Sequence, residues 1–105
     1  MEAIRWEDSA LYLLDQTHLP AAEDWLRYTD YRQVAKAIQT MVVRGAPAIG
    51  ITAAYAMVLA AQENACKVDF HVAMSQAKET LAASRPTAVN LFWALDRMEK
   101  LWLSA

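Results

Sequence analysis

The chain has 105 residues, of which 56% are hydrophobic and 21% charged, and its formal net charge is −2. That length supports one hydrophobic core, and the balance excludes a disordered chain. It also excludes nucleic acid as the main partner, because the Lys and Arg residues are scattered and form no basic stripe.

The opening residues alternate. Ile4 and Trp6 stand between charged neighbours, then Leu11, Leu13 and Leu14 run up to Asp15, and Trp25–Thr29 makes a third extended piece. Thr17, His18, Leu19 and Pro20 read as a turn. The three pieces predict a small antiparallel β-meander over residues 1–29. Asp15 reads as a turn or strand-end residue. The N-terminus becomes charged at once and has no apolar core followed by a cleavage site, so no secretory signal is expected and the cytoplasm is the default location.

From Asp30 the period becomes helical. Asp30 is the expected N-cap of a first helix, with Val34, Ala37, Ile38 and Met41 on one face. A second helix is expected to start at Ala46 or Pro47 and to end near Asn64. The stretch from Gly45 to Gln62 carries no charge, which reaches the length of a membrane span. It is rich in Ala, interrupted by Thr52 and Tyr55 and closed in by Arg44 and Glu63, so it reads as a buried core helix. A third helix, from Asp69 to Ala83, buries Phe70, Ala73, Met74, Ala77 and Leu81. A fourth begins after Thr87 and buries Leu91, Leu95, Met98 and Trp102. Trp and Met on these helices are expected in the core. The sequence therefore predicts a single α+β domain, residues 1–105: a small N-terminal antiparallel β-meander followed by a bundle of about four α-helices over residues 30–105. The last five residues stop inside an apolar helical pattern with no glycine cap, an end that something is expected to cover.

Cys66 is the only cysteine, so neither an intrachain disulfide nor a cysteine-based metal cluster can form. It is expected to be a buried or half-buried, inert thiol. His18 and His71 lack a ligand spacing and read as structural or solvated; no metal site is expected.

Glycine carries the strongest local signal. An average usage of about 7% would supply roughly seven in this length. The chain has two, Gly45 and Gly50, both within Arg44-Gly45-Ala46-Pro47-Ala48-Ile49-Gly50. Gly45 can take a positive φ, and Pro47 suits a first helical turn, where its missing N–H costs nothing. Unpaired amides at that helix start, the helix dipole and the Arg44 guanidinium together make an anion site. Gly50 reads instead as a point of close helix packing. Ser84-Arg85-Pro86-Thr87 repeats the logic, with Thr87 as N-cap and Asn90 about one turn into the fourth helix. From the residues alone, an Arg before such a turn is more often only a loop residue.

The segment Met41-Val42-Val43-Arg44-Gly45-Ala46-Pro47-Ala48-Ile49-Gly50 resembles the signature of a superfamily. It holds methylthioribose-1-phosphate isomerases, ribose-1,5-bisphosphate isomerases and regulatory subunits of the initiation-factor 2B complex. Ile4-Arg5-Trp6 with Leu13-Leu14-Asp15-Gln16-Thr17-His18-Leu19-Pro20 is similar to the opening of the methylthioribose-phosphate enzymes, and Ser84-Arg85-Pro86-Thr87-Ala88-Val89-Asn90-Leu91 to their next shared block. The resemblance covers nearly all of the chain. It implies that Arg44, Gly45, Ala46 and Arg85 bind the substrate, a small sugar phosphate. The reaction it implies is an aldose–ketose isomerisation in methionine salvage, with no cofactor, metal, nucleic acid or membrane involved. Full-length relatives are expected to be homodimers whose C-terminal Rossmann-like domain supplies a catalytic Cys and Asp. Neither position exists in this sequence, so no catalytic residue is assigned here.

Overall fold

A computed structural model describes residues 3–15, 24–40, 42, 43 and 45–104. In chain order the elements are β1 (Ile4–Glu7), β2 (Ala10–Asp15), β3 (Asp24–Tyr28), α1 (Tyr31–Gln39), α2 (Ala46–Asn64), α3 (Phe70–Ser84) and α4 (Val89–Leu103). The meander followed by helices is the arrangement expected from the sequence. The third strand begins one residue earlier than anticipated and ends at Tyr28. The turn expected over residues 17–20, with His18, falls outside the described residues, as do Met41 and Arg44.

The sheet is antiparallel in the order β1-β2-β3. Asp8 and Ser9 join β1 to β2 with φ of 52° and 62°, the left-handed pair that matches the right-handed strand twist in a two-residue hairpin loop. Register pairs Ile4 with Leu13, Trp6 with Leu11, Leu11 with Tyr28 and Leu13 with Leu26. Those residues share the face turned to the helices, and Leu11 and Leu13 are fully buried in the core. Trp6 stacks on Tyr55 of α2 with ring centroids 5.2 Å apart, which fastens β1 to the bundle. On the other face the Arg5 guanidinium lies 4.4 Å over the Trp25 ring. Asp15 closes β2 and is buried, in keeping with a strand-end role.

Asp30 caps α1 as expected, its Oδ1 accepting from the Arg32 amide at 2.9 Å. The Arg32 guanidinium returns to Asp30 and also grips Glu63 through both nitrogens, at 3.0 and 3.3 Å. Glu63 first and Asp30 after it hold this arginine more firmly protonated than a free one. The contact brings the start of α1 to the end of α2, so the two helices are antiparallel. Lys78 on α3 bonds Asp96 and Glu99 on α4 at 2.9 and 3.1 Å, and His71 Nε2 lies 3.1 Å from the Trp102 carbonyl. The start of α3 therefore meets the end of α4, and the bundle runs up-down-up-down. His71 is structural.

The expected stripes are in the core: Val34, Ala37 and Ile38 on α1, Met74, Ala77 and Leu81 on α3, Leu91, Leu95 and Trp102 on α4. Phe70, Ala73 and Met98 are half-buried. Trp93 departs from expectation. It is 62% exposed, because positions 91, 95, 98 and 102 face inward and 93 falls on the opposite side of α4. Cys66 departs too. It is exposed, since α2 ends at Asn64 and the following turn projects into solvent. Among the described residues no helix is long and apolar enough to cross a membrane.

Candidate anion-binding corner

The approach to α2 is anchored from below. Thr40 ends α1 with its amide donating to the Lys36 carbonyl at 2.9 Å, and the Val42 amide reaches the Ala37 carbonyl at 3.0 Å. Val43 is driven into the core, 1% exposed. Two residues later the chain turns at Gly45, which has φ 92° and ψ 132° and stands as the N-cap of α2. Apart from its own chain neighbours, no described residue comes within 4 Å of the place where a Cβ would be. The need for glycine here is therefore conformational and not steric.

Gly45, Ala46 and Pro47 are exposed. The Ile49 amide makes the first intrahelical bond, to the Gly45 carbonyl at 3.0 Å. The Ala46 and Ala48 amides precede that bond, Pro47 has no N–H to leave unpaired, and no side chain among the described residues caps the helix. A long helix thus starts at the surface with positive dipole and polar hydrogens facing outward, an arrangement that favours an anion. Arg44, expected to add its charge, lies outside the described residues.

The α3–α4 connection sits at the same end. Gly50, in the early part of α2, faces α4 so closely that a Cβ would stand 3.3 Å from the Asn90 carbonyl oxygen. Gly50 thus serves close helix packing, as its position suggested. Arg85 follows the last residue of α3 with φ −144° and ψ 80°, and its carbonyl accepts from the Ala88 amide at 2.9 Å. That bond closes a turn containing Thr87, so the N-cap of α4 is Ala88 and not Thr87. Asn90 is accordingly the second residue of α4 and not one turn inside it. Arg85 is half-buried, and its Nη1 is buried with no hydrogen-bond partner among the described residues. The fold therefore places Gly45, Ala46 and Arg85 at one end of the bundle, where α2 and α4 begin.

A groove of about 540 Å³ runs from this end between α2 and α4, lined by Pro47, Gly50 and Ile51 on one side and Asn90, Trp93 and Arg97 on the other. The Arg97 guanidinium lies 4.9 Å over the Trp93 ring. Neither Trp93 nor Arg97 was singled out for a site from the sequence, although their i, i+4 spacing on one helix face was readable there. Cys66 and His71 lie at the other end, beyond the last turn of α2 and at the start of α3. Among the described residues no group of three or more His, Cys, Asp or Glu could hold a metal ion.

Fold and corner together define a class. The chain belongs to the initiation factor 2 subunit family, whose sequence profile matches residues 42–105, more than half its length. Within that family it is most informatively compared with proteins named methylthioribose-1-phosphate isomerase. It is 60% identical over 99 residues to the one from Pseudomonas syringae pv. syringae and 54% identical over 101 residues to the one from Azotobacter vinelandii. These matches take in 93% and 95% of this chain but 28% of each relative, so the chain spans under a third of their length. Among solved structures, 5-methylthioribose 1-phosphate isomerase from Pyrococcus horikoshii OT3 superposes with a TM-score of 0.92 at 38% identity, covering 97% of this chain and 29% of that one. The translation initiation factor eIF-2B subunit delta from A. fulgidus superposes with a TM-score of 0.91 at 36% identity, covering 100% and 31%.

Proposed function

We propose that this chain is the sugar-phosphate-gripping part of a methylthioribose-1-phosphate isomerase, with Arg44, Gly45, Ala46 and Arg85 as the residues that hold the substrate. The observation that carries this reading is the exposed, uncapped start of α2 behind a positive-φ glycine, in a chain 60% identical to an enzyme of that name. The amides at the head of α2 take the phosphoryl oxygens. Arg44 and Arg85 supply the charge and the fork of donors that suit a phosphate. The unpartnered Nη1 of Arg85 gains a hydrogen-bond acceptor when the anion arrives.

Interconverting an aldose and a ketose moves a hydrogen between adjacent carbons and requires a positioned proton carrier. The described residues of the corner offer donors and no such carrier, and Cys66 is at the opposite end of the bundle. The 105 residues alone are therefore expected to bind and not to turn over. Calorimetry with ribose 1-phosphate tests the grip: binding that disappears in Arg44→Ala and in Arg85→Ala supports it. Unchanged binding in both variants sinks it, as does conversion of methylthioribose 1-phosphate by the purified chain.

A second reading is favoured by the likeness to the A. fulgidus eIF-2B subunit. In it the chain is part of a non-catalytic interaction subunit, and folded protein shows no affinity for any ribose phosphate. A ribose-1,5-bisphosphate isomerase would prefer the bisphosphate over ribose 1-phosphate in the same titration.

A further inference from the structure

Helix α4 is apolar on two sides. Its inner side carries Leu91, Leu95 and Trp102, all buried. Its outer side carries Trp93 and Leu101, 62% and 64% exposed, with Arg97 between them at four-residue spacing. Across the groove Ile51 of α2 is 51% exposed. A helix on the outside of a bundle ordinarily keeps one apolar stripe and gives its other side to polar residues. A contiguous apolar surface of this kind marks a site of contact with another surface.

We infer that the α2–α4 groove is the seat of the polypeptide that makes up the remaining length of the family's longer members, and that this polypeptide presents an apolar surface with a carboxylate or a free carbonyl opposite Arg97. Length supports this occupant. The chain matches 28% of the relative from Pseudomonas syringae and 29% of the solved enzyme from Pyrococcus horikoshii. In each of them more than twice as much polypeptide again must pack somewhere.

Charge argues against a second copy of this chain. A symmetric pairing through the outer side of α4 would set Arg97 against Arg97, two like charges at the middle of a drying contact. Arg97 stacked on Trp93 is better served by a partner that brings an acceptor. The inference rests on family membership and on the exposed face, and it stands whether or not the corner binds a sugar phosphate.

Oxidative footprinting read by mass spectrometry tests it. The isolated chain is compared with a fusion in which it replaces the matched region of the Pseudomonas syringae relative. Trp93 and Leu101 are expected to be modified about tenfold more slowly in the fusion, the factor that an opening step of ~1.4 kcal/mol produces. Equal rates in the two proteins overturn the proposal. Protection that grows with the concentration of the isolated chain also overturns it, because the occupant is then a second copy. If the fusion does not fold, the native relative is footprinted instead. Its segment matching residues 89–103 is expected to be modified about tenfold more slowly than the same segment of this chain, and equal modification overturns the proposal.

Discussion

Gly50 and Asn90 meet across the α2–α4 contact, where a Cβ on the glycine would stand 3.3 Å from the asparagine's carbonyl oxygen. That spacing is tighter than ordinary van der Waals contact, and the opposing atom is backbone. Gly50→Ala gains about 1 kcal/mol of helix propensity and spends a similar amount moving α4, so its stability is expected within roughly 1 kcal/mol of the parent. Gly50→Leu has no such room and is expected to cost about 1–3 kcal/mol. Urea unfolding of the two variants checks the order. A leucine variant as stable as the alanine one would mean the helices are not held at this distance.

Gly45 is constrained in the opposite way. There is open space around it, yet its φ of 92° with ψ of 132° lies outside the left-handed basin that asparagine tolerates. Gly45→Ala and Gly45→Asn are both expected to lose about 1–3 kcal/mol, from backbone strain alone. Thermal melts of the two variants against the parent check it, and a loss well below that range would show that the corner relaxes to a backbone conformation other residues adopt.

Arg85 joins a stability cost to the proposed grip. Its Nη1 is buried and lacks a partner among the described residues, so an apolar stem without the guanidinium removes an unsatisfied donor. Arg85→Met is expected to keep stability or raise it by about 1 kcal/mol while ribose 1-phosphate binding is lost. Chemical denaturation and calorimetry on one preparation read both. A marked loss of stability would show that the guanidinium holds the α3–α4 turn together instead.

Two groups tie stability to alkaline pH. Burial, and then the charge of Asp15, push the Tyr28 phenol above its usual value. Burial pulls the Lys78 ammonium down, but its hydrogen bonds to Asp96 and Glu99 outweigh that and hold it above its usual value. Both groups keep their protons more tightly in the folded chain than in the unfolded one. Their contribution is therefore complete below about pH 10 and is lost as pH rises past it. Asp96 is 65% exposed, so water screens the ion pair and Lys78→Met is expected to cost under about 1 kcal/mol at pH 7. Melts between pH 7 and pH 11 check both statements.

Cys66 is exposed in the turn after α2. It is expected to react with a thiol reagent in folded protein as fast as in a short peptide, and Cys66→Ser should change stability by less than about 0.5 kcal/mol. A thiol that labels only in denaturant would contradict the exposed turn.

The elements legible in the sequence are those with a phase or a stop signal. Asp30 and the 34–37–38 spacing defined α1, and Gly45 with Pro47 defined the head of α2. The interior of α2 was not legible in the same way. It is apolar nearly all round, so the period carries no information about which side faces in. That is why Ile51 is half exposed while its neighbour Thr52 is fully buried, its Oγ1 without a partner among the described residues. Thr87 was misread as a cap because a threonine before a helix has the right chemistry. Only the Ala88–Arg85 bond, which depends on how the chain leaves α3, moves the cap to Ala88. The corner at Gly45 was readable because a glycine-poor chain spends its glycine there. Its companion at the same end of the bundle, the Arg85 turn, is brought there because α2 and α4 run the same way, which no local pattern encodes.

Helix α2 has 19 residues, which at ~1.5 Å each span roughly 28 Å. Gly45 stands just before its first residue and Cys66 just after its last turn. The protein thus carries one native attachment point for a dye, set by a rigid rod at a known remove from the proposed phosphate grip. A label there can follow a fluorescent ligand by energy transfer while sitting too far away to disturb the corner it reports on.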